Sequence, residues 1–281
     1  MDPKETGAEE RLRVVVVGAT GKTGGRVADR LQRSGLPVRL ASRTSTTHFD
    51  WTDRSTWRPA LDGAGAVYIT YQPDLIVPNA ADDLAAFVTA AGDAGIERLV
   101  LLSGRGEPEA QACEQIVLNS GIGATVLRCS WFAQNFSEAF LVDGIRGGEV
   151  VLPVGSVGEP FLDADDIADA AVEALTGGTG HAGRVYELTG PRLLSFADAT
   201  AEIAEILGRD IAFVTVPAAD YRAAMLAEGM GTEDTDMVMA LFGTLFDGRN
   251  ESVTDGVRAI LGREPTDFAD VAKRAAMQGV W

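Results

Sequence analysis

A doubly wound α/β fold is predicted by three features of the chain. Its short strands are apolar throughout, amphipathic helical stretches separate them, and a glycine-rich loop follows the first strand. A strand that is apolar at every position is covered on both faces, which is the condition of a parallel sheet between two layers of helices. Leu12–Val17 (LRVVVV) reads as such a strand. The glycine loop comes next, then a helix from about Thr23 to Ser34 and a second strand at Val38–Ser42. Ala66–Thr70, Arg98–Ser103 and Ala124–Cys129 repeat the theme, with helical patterns near 79–95 and 108–120 between them.

Beyond residue 130 the rhythm changes. GGEVVLPVGS predicts a strand and turn, and DADDIADAAVEAL a helix with acidic residues in its first turn. RVYELTG predicts a strand, SFADATAEIAEILG a helix capped by Ser195, and IAFVTVP another strand. The last 60 residues read as mostly helical. The expected organisation is a short disordered lead over 1–11 and a dinucleotide-type domain over 12–150. A smaller, mixed, mostly helical substrate-binding part follows over 151–281, with a strand near 184–189 returning to the main sheet.

Composition narrows the function classes. The 281 residues carry 41 acidic and 24 basic side chains, for a net charge of −17. A chain this acidic repels a phosphate backbone or an anionic membrane surface, so neither nucleic acid nor membrane is an expected partner. The longest charge-free run, Gln115–Leu127, has 13 residues and is too short to span a bilayer. The charged N-terminal stretch MDPKETGAEERLR lacks the apolar core of a signal peptide. Cys113 and Cys129 share no metal-binding spacing, and the histidines are only His48 and His181. Neither a metal site nor a disulfide framework is expected, and the chain reads as a reduced, cytoplasmic protein.

GATGKTG, Gly18 to Gly24, is the sharpest local signal. Gly18 permits a tight turn, Gly21 lets backbone N–H groups approach a pyrophosphate, and Gly24 lets the helix pack closely on the strand. The strand–loop–helix setting makes this a Rossmann-type fingerprint, the alternative being a purely structural turn. It is not a triphosphate-binding loop, because no Gly-Lys-Ser/Thr follows at the required spacing. The end of the second strand reads Ala41-Ser42-Arg43-Thr44, with no carboxylate for a ribose 2′-hydroxyl. Ser42 and Arg43 suit a 2′-phosphate, and Lys22 is one of only three lysines in the chain. The expected cofactor is therefore NADP(H) rather than NAD(H), unless Arg43 is simply a solvated loop residue.

GATGKTGGRVADRL, ASRTSTTHFDW, TWRPALDGAGAVYI, RLVLLSGRG, TVLRCSWFAQNFSE and PFLDADDIADAA, with the closing Trp281, resemble the NmrA-like atypical short-chain dehydrogenases. The resemblance runs from residue 12 to the end. It is strongest to the branch holding the festuclavine and agroclavine dehydrogenases and their bacterial relatives. It implies that Gly18, Thr20, Gly21, Lys22, Thr23 and Gly24 cradle the pyrophosphate, that Ser42 and Arg43 take the 2′-phosphate, and that Asp50 and Trp51 lie near the adenine. It also implies that Thr70, Tyr71, Ser103 and the segment from Ser130 to Phe136, including Phe132, face the nicotinamide. Cys129 departs from the pattern, since relatives commonly carry proline there.

The usual acid of short-chain dehydrogenases, a Tyr helped by a Lys four residues later, is missing. Tyr68, Tyr71, Tyr186 and Tyr221 are followed four positions on by Gln72, Leu75, Gly190 and Met225. A reductase works without that pair if its acceptor takes hydride unaided: an iminium needs no proton, and a quinone or enone needs modest help. The expectation is an NADPH-dependent reductase of a small electron-poor secondary metabolite. The alternatives are an NADP(H)-sensing interaction protein without turnover, and a non-redox tailoring enzyme of the aromatic polyketide type. Tyr71 is the best candidate proton donor, or else an aromatic rim against the cofactor. Ser103 is the second catalytic candidate, or an orienting group. Trp131, Phe132 and Phe136 build an apolar wall or belong to the core. Met225, Met230, Met237 and Met239 line a pocket or fill helical packing. Glu107, Glu109 and Glu114 are expected on a solvated helix face, and both cysteines are expected to be buried. A small-molecule substrate and a monomer or homodimer complete the expectation.

Overall fold

The computed structural model describes residues 12–281; the lead expected over 1–11 lies outside the described residues. In chain order the elements are β1 (Val14–Val17), α1 (Lys22–Arg33), β2 (Val38–Ser42), β3 (Thr47–His48), α2 (Trp57–Leu61), β4 (Ala66–Ile69), α3 (Ala80–Asp93), β5 (Arg98–Gly104), α4 (Pro108–Leu118) and β6 (Gly123–Cys129). There follow α5 (Leu141–Gly147), β7 (Glu149–Leu152), α6 (Ala164–Thr176), β8 (Arg184–Leu188), α7 (Phe196–Leu207), β9 (Ala212–Thr215), α8 (Ala218–Ala227), α9 (Thr232–Leu245), α10 (Gly256–Leu261) and α11 (Phe268–Met277). A seven-stranded sheet runs in the order β3-β2-β1-β4-β5-β6-β8, and its pairings from β3 through β5 are parallel. The order reverses at β1, so the crevice beyond β1 and β4 is the switch point where doubly wound sheets bind ligands.

The predicted strands form because their residues have nowhere else to go. All four valines of β1 and all four residues of β4 are fully buried, as a central strand covered on both faces demands. α1 turns Thr23, Gly24, Val27, Ala28 and Leu31 inward, the spacing of one helical face. The two-residue β3 and the short α2 were not anticipated. Around them Phe49, Trp51, Trp57 and Phe87 pack mostly edge-to-face, with Phe49 and Trp57 stacked, and with ring centroids 5.1–6.3 Å apart.

One expectation is corrected on α4 and the loop before it. Glu107 and Glu114 are buried, not solvated, while Glu109 is exposed. Ala110, Cys113, Glu114 and Val117 all turn inward, the i, i+3, i+4, i+7 face of a helix, so Glu114 shares the face of the apolar residues. Both cysteines are free and buried, as expected.

The chain divides into two compact units that alternate along the sequence. Among the described residues, unit 1 is 12–102, 112–126 and 171–184; unit 2 is 103–111, 127–170 and 185–281. A single boundary near residue 150 does not describe this division. Unit 2 has a core of its own in which Phe136, Phe161, Phe196 and Phe268 meet at 5.1–5.6 Å. Phe136 is therefore core, and Trp131 packs against that core. β7 and β9 pair in parallel as a separate two-stranded sheet. Ser195 caps α7 as expected, in a reciprocal box: its Oγ accepts from the Asp198 N–H at 3.0 Å and Asp198 accepts from the Ser195 N–H at 3.0 Å. No helix among the described residues is long and apolar enough to cross a membrane.

Candidate functional site: a dinucleotide cradle

The cradle starts where β1 ends. Gly18 has φ +74°, a left-handed conformation, and a Cβ there would lie 1.9 Å from Thr70 Oγ1. Thr70 belongs in that place, because its hydroxyl donates to Val17 O at 3.0 Å. The turn is closed by Gly21 N–H on Gly18 O at 2.9 Å, and Gly18 N–H donates to Ala41 O at 2.9 Å. A Cβ on Gly24 would sit 2.2 Å from Gly18 O, so the close seat of α1 on this turn depends on glycine. The first turn of α1 has neither a side-chain cap nor an acidic residue. Its N–H groups and dipole are thereby left for an anion.

Beside this turn the Ser42 hydroxyl has a structural task. It is buried and accepts the N–H groups of Thr44 at 3.3 Å and Ser45 at 3.0 Å. Ser42 thus shapes the 42–45 loop, and the exposed Arg43 at its tip carries the charge. His48 Nδ1 lies 3.1 Å from Arg43 O. Asp50 accepts from both the amide and the hydroxyl of Thr52, at 2.9 and 2.8 Å. Those two bonds, helped by Arg43, hold its carboxyl below the usual carboxylate range. The Trp51 indole donates to Thr70 O at 3.0 Å, tying the aromatic segment to the end of β4.

These residues enclose one cavity of about 580 Å³ within unit 1. Gly18, Thr20, Gly21, Ser42, Arg43, Asp50, Trp51 and Thr70 line it, eight of the residues singled out from sequence. Thr44, Phe49, Thr52, Gln72 and Pro73 also line it and were missed; only Phe49, in the FDW stretch, carried a signal. Lys22 sits in the first turn of α1, and Thr23 and Gly24 are buried on its inner face. A glycine cradle that side chains would fill, a cation at the end of β2 and an adjoining aromatic wall suit a dinucleotide phosphate.

Tyr71 turns away from the cavity. Its buried hydroxyl donates to Asp83 Oδ2 at 2.9 Å and accepts from Asn79 Nδ2 at 3.1 Å. Burial and the Asp83 carboxylate push its phenol well above the ordinary value. In unit 2 Ser103 is buried at the end of β5. Ser130 donates its hydroxyl to Pro160 O at 2.6 Å, and half-buried Phe132 bridges to Leu162. Among the described residues no group of His, Cys, Asp and Glu is arranged to hold a metal ion.

Sheet order, switch point and cradle define a doubly wound dinucleotide-binding protein. No protein-family profile matches the chain. Individual proteins do: it is 30% identical to the agroclavine dehydrogenase of Claviceps fusiformis, over 92% of this chain and 96% of that one. It is also 30% identical to the NAD(P)H azoreductase of Xenophilus azovorans, over 94% of this chain and 98% of that one. Among solved structures, the Citrobacter sp. triphenylmethane reductase in complex with NADP(H) superposes with a TM-score of 0.75 at 21% identity, covering 94% of this chain and all of that one. The chain belongs to the NmrA-like atypical short-chain dehydrogenase/reductase family and is an oxidoreductase.

Proposed function

We propose that the chain is an NADPH-dependent reductase of small electron-poor molecules, an iminium, quinone or enone, that works without a Tyr-Lys pair. The observation that carries this reading is the single cavity in which the Gly18–Gly21 turn meets Arg43 at the end of β2. The pyrophosphate rests on the amides of the Gly18–Thr23 turn, with Lys22 beside them and Gly24 keeping the helix close. Arg43 pairs with the 2′-phosphate, held in place by the Ser42 hydroxyl, and Asp50 and Trp51 border the adenine. Agroclavine dehydrogenase and NAD(P)H azoreductase, the relatives named above, are oxidoreductases by name, and the second is a reductase, which supports the same reading.

Bound in this cradle, NADPH would supply the hydride. What this chain adds is binding, orientation and exclusion of water. Tyr71 holds its proton on Asp83 and backs the Trp51 ring rather than acting as the acid. Ser103 orients a polar atom of the acceptor or the nicotinamide amide, and Ser130 sets the path of the segment from which Phe132 supplies an apolar wall. An iminium acceptor then needs no proton, and a quinone draws one from water. The test is NADPH consumption, with NADH as control, over a panel of quinones, enones and cyclic iminium ions. NADPH-specific turnover of any member is expected. Tight NADPH binding without turnover of any acceptor would replace the reductase with a cofactor sensor or a non-redox enzyme.

A further inference from the structure

Unit 2 holds a buried carboxyl group that the reading above does not employ. Glu159 is 1% exposed, and its backbone exchanges hydrogen bonds with Leu194 at 2.9 and 3.1 Å. The segment after β6 runs along the same stretch, with Leu162 N–H on Trp131 O at 2.9 Å and Ala133 N–H on Leu162 O at 2.8 Å. Glu159 Oε1 accepts from the Trp131 N–H at 3.0 Å. Its Oε2 is buried and accepts nothing, and the Trp131 indole Nε1 is buried with no acceptor. Native proteins rarely leave such atoms unmet, and each asks for a partner.

The surroundings say what kind of partner. The Trp131 ring lies 5.1 Å from Phe246 and 6.0 Å from Phe242. Arg105 is the basic group whose charge reaches Glu159, but its guanidinium is spent on Glu187, Asn250 O and Ser252. Glu251 is the other acidic group at hand, and it accepts from the Gly158 N–H at 2.6 Å. A buried carboxylate oxygen that accepts nothing, on the residue that takes the Trp131 N–H and in a chain of net charge −17, favours a positive guest.

We propose that Glu159 and Trp131 form an acceptor-binding subsite for a cationic planar nitrogen heterocycle, its positive nitrogen on Glu159 Oε2 and its ring against Trp131, Phe242 and Phe246. The Trp131 N–H is then available to an acceptor atom of the same molecule. Entry requires the Phe242 and Phe246 rings, at the end of α9, to turn aside. That the guest is the substrate rests on the reductase reading; that it binds here does not.

The experiment is calorimetric binding to the full chain with NADP⁺ present, so that no turnover occurs. N-methylquinolinium is compared with 4-methylquinoline, which has the same size and is neutral at pH 8. The cation is expected to bind about tenfold tighter, and Glu159→Gln to abolish that preference. Equal affinity for the two probes, or a preference that survives in Glu159→Gln, overturns the proposal. Burial pushes the Glu159 carboxyl up to about 7, so in the wild-type protein N-methylquinolinium affinity should fall as pH drops from 8.5 to 6. This series decides the matter if Glu159→Gln does not fold, and a flat profile overturns the proposal equally. Failure to bind NADP⁺ would count against the reductase reading alone, because the probe comparison is repeated without nucleotide.

Discussion

Tyr71 and Asp83 share a hydrogen bond of 2.9 Å, donated by the phenol. The Asp83 carboxylate also receives Asn79 Nδ2 at 2.9 Å and Arg54 at 3.0 Å. Three donors on one buried carboxylate form a closed polar network, and Trp51 leans on the Tyr71 ring at 4.8 Å. The phenol therefore braces the aromatic wall of the cradle and keeps its proton.

Tyr71→Phe should separate bracing from acid catalysis. Loss of a general acid lowers the rate by roughly 10²–10⁴-fold, whereas the Phe variant is expected to retain kcat to within about threefold. Its cost should appear in stability, at about 1 kcal/mol for one hydrogen bond to a carboxylate that keeps its other donors. Steady-state kinetics and urea unfolding check the two halves. A kcat reduced a hundredfold in a folded variant would restore Tyr71 as the acid.

Gly24 makes a different demand from Gly18. The atom opposing a Cβ at Gly18 is a side-chain hydroxyl, but at Gly24 it is the backbone oxygen of Gly18, 2.2 Å away. Backbone cannot swing aside, so Gly24→Ala pushes α1 off the turn. The expected outcome is a loss of about 1–3 kcal/mol, the usual range for overpacking, together with loss of measurable NADPH binding. Thermal unfolding and nucleotide titration of the same sample test this. Unchanged affinity would mean that the loop is only a turn.

Much of unit 1 was legible because its signals are local. The Val14–Val17 run, the glycines at 18, 21 and 24 and the missing carboxylate at Ser42-Arg43 each lie within a few neighbouring residues. What was less legible is which way a side chain turns and what it meets. The Ser42 hydroxyl turns back onto the 44–45 amides, and α3 brings Asp83 to the Tyr71 phenol. Glu114 looked solvated because acidic residues usually are, yet it lies on the same helical face as Ala110, Cys113 and Val117. Glu159 gave no signal at all, since its burial is made by Leu194 and Trp131, more than 25 residues away on either side. The parallel pairing of β7 with β9 was hidden likewise, because α6, β8 and α7 intervene.

Arg192 joins the middle of α7 to the start of α11. It donates to both oxygens of Asp267, at 2.7 and 2.8 Å, and to both of Glu202, at 2.6 and 2.8 Å. The Arg192 guanidinium is the main reason the Asp267 carboxyl lies below its ordinary range. A lowered pKa in the folded state stabilises the protein above the unfolded value and ceases to do so as pH falls through the folded value. Asp267→Asn keeps an acceptor for the Ala269 N–H that Asp267 caps at 2.9 Å but removes the charge. The variant should be less stable by about 1 kcal/mol at pH 7, a figure held down by partial exposure of the pair. The gap to wild type should close as pH falls below about 4, where the unfolded carboxylate begins to take up protons. Denaturant midpoints at pH 7, 5 and 3.5 test this; a constant gap would assign the effect to the cap.

Arg43 carries the cofactor choice. Its charge stands at the exposed tip of a loop whose turn is closed by the Ser42 hydroxyl, so removing the guanidinium should leave the loop and the glycine turn intact. Arg43→Ala is expected to weaken NADPH by at least about tenfold, the loss of one charge-assisted phosphate contact, and to leave NADH affinity unchanged. Because the pair is exposed, the wild-type preference for NADPH should shrink between about 0.05 and 0.5 M salt, as the Debye length contracts. Ser42→Ala should act differently. Without the hydroxyl that receives two amides the loop loses its shape, so NADPH affinity falls through a mobile Arg43 and the salt response of what remains is weaker. Nucleotide titrations of both variants at two salt concentrations check the scheme. Equal losses for NADPH and NADH in Arg43→Ala would show that the loop binds the nucleotide without reading its 2′-phosphate.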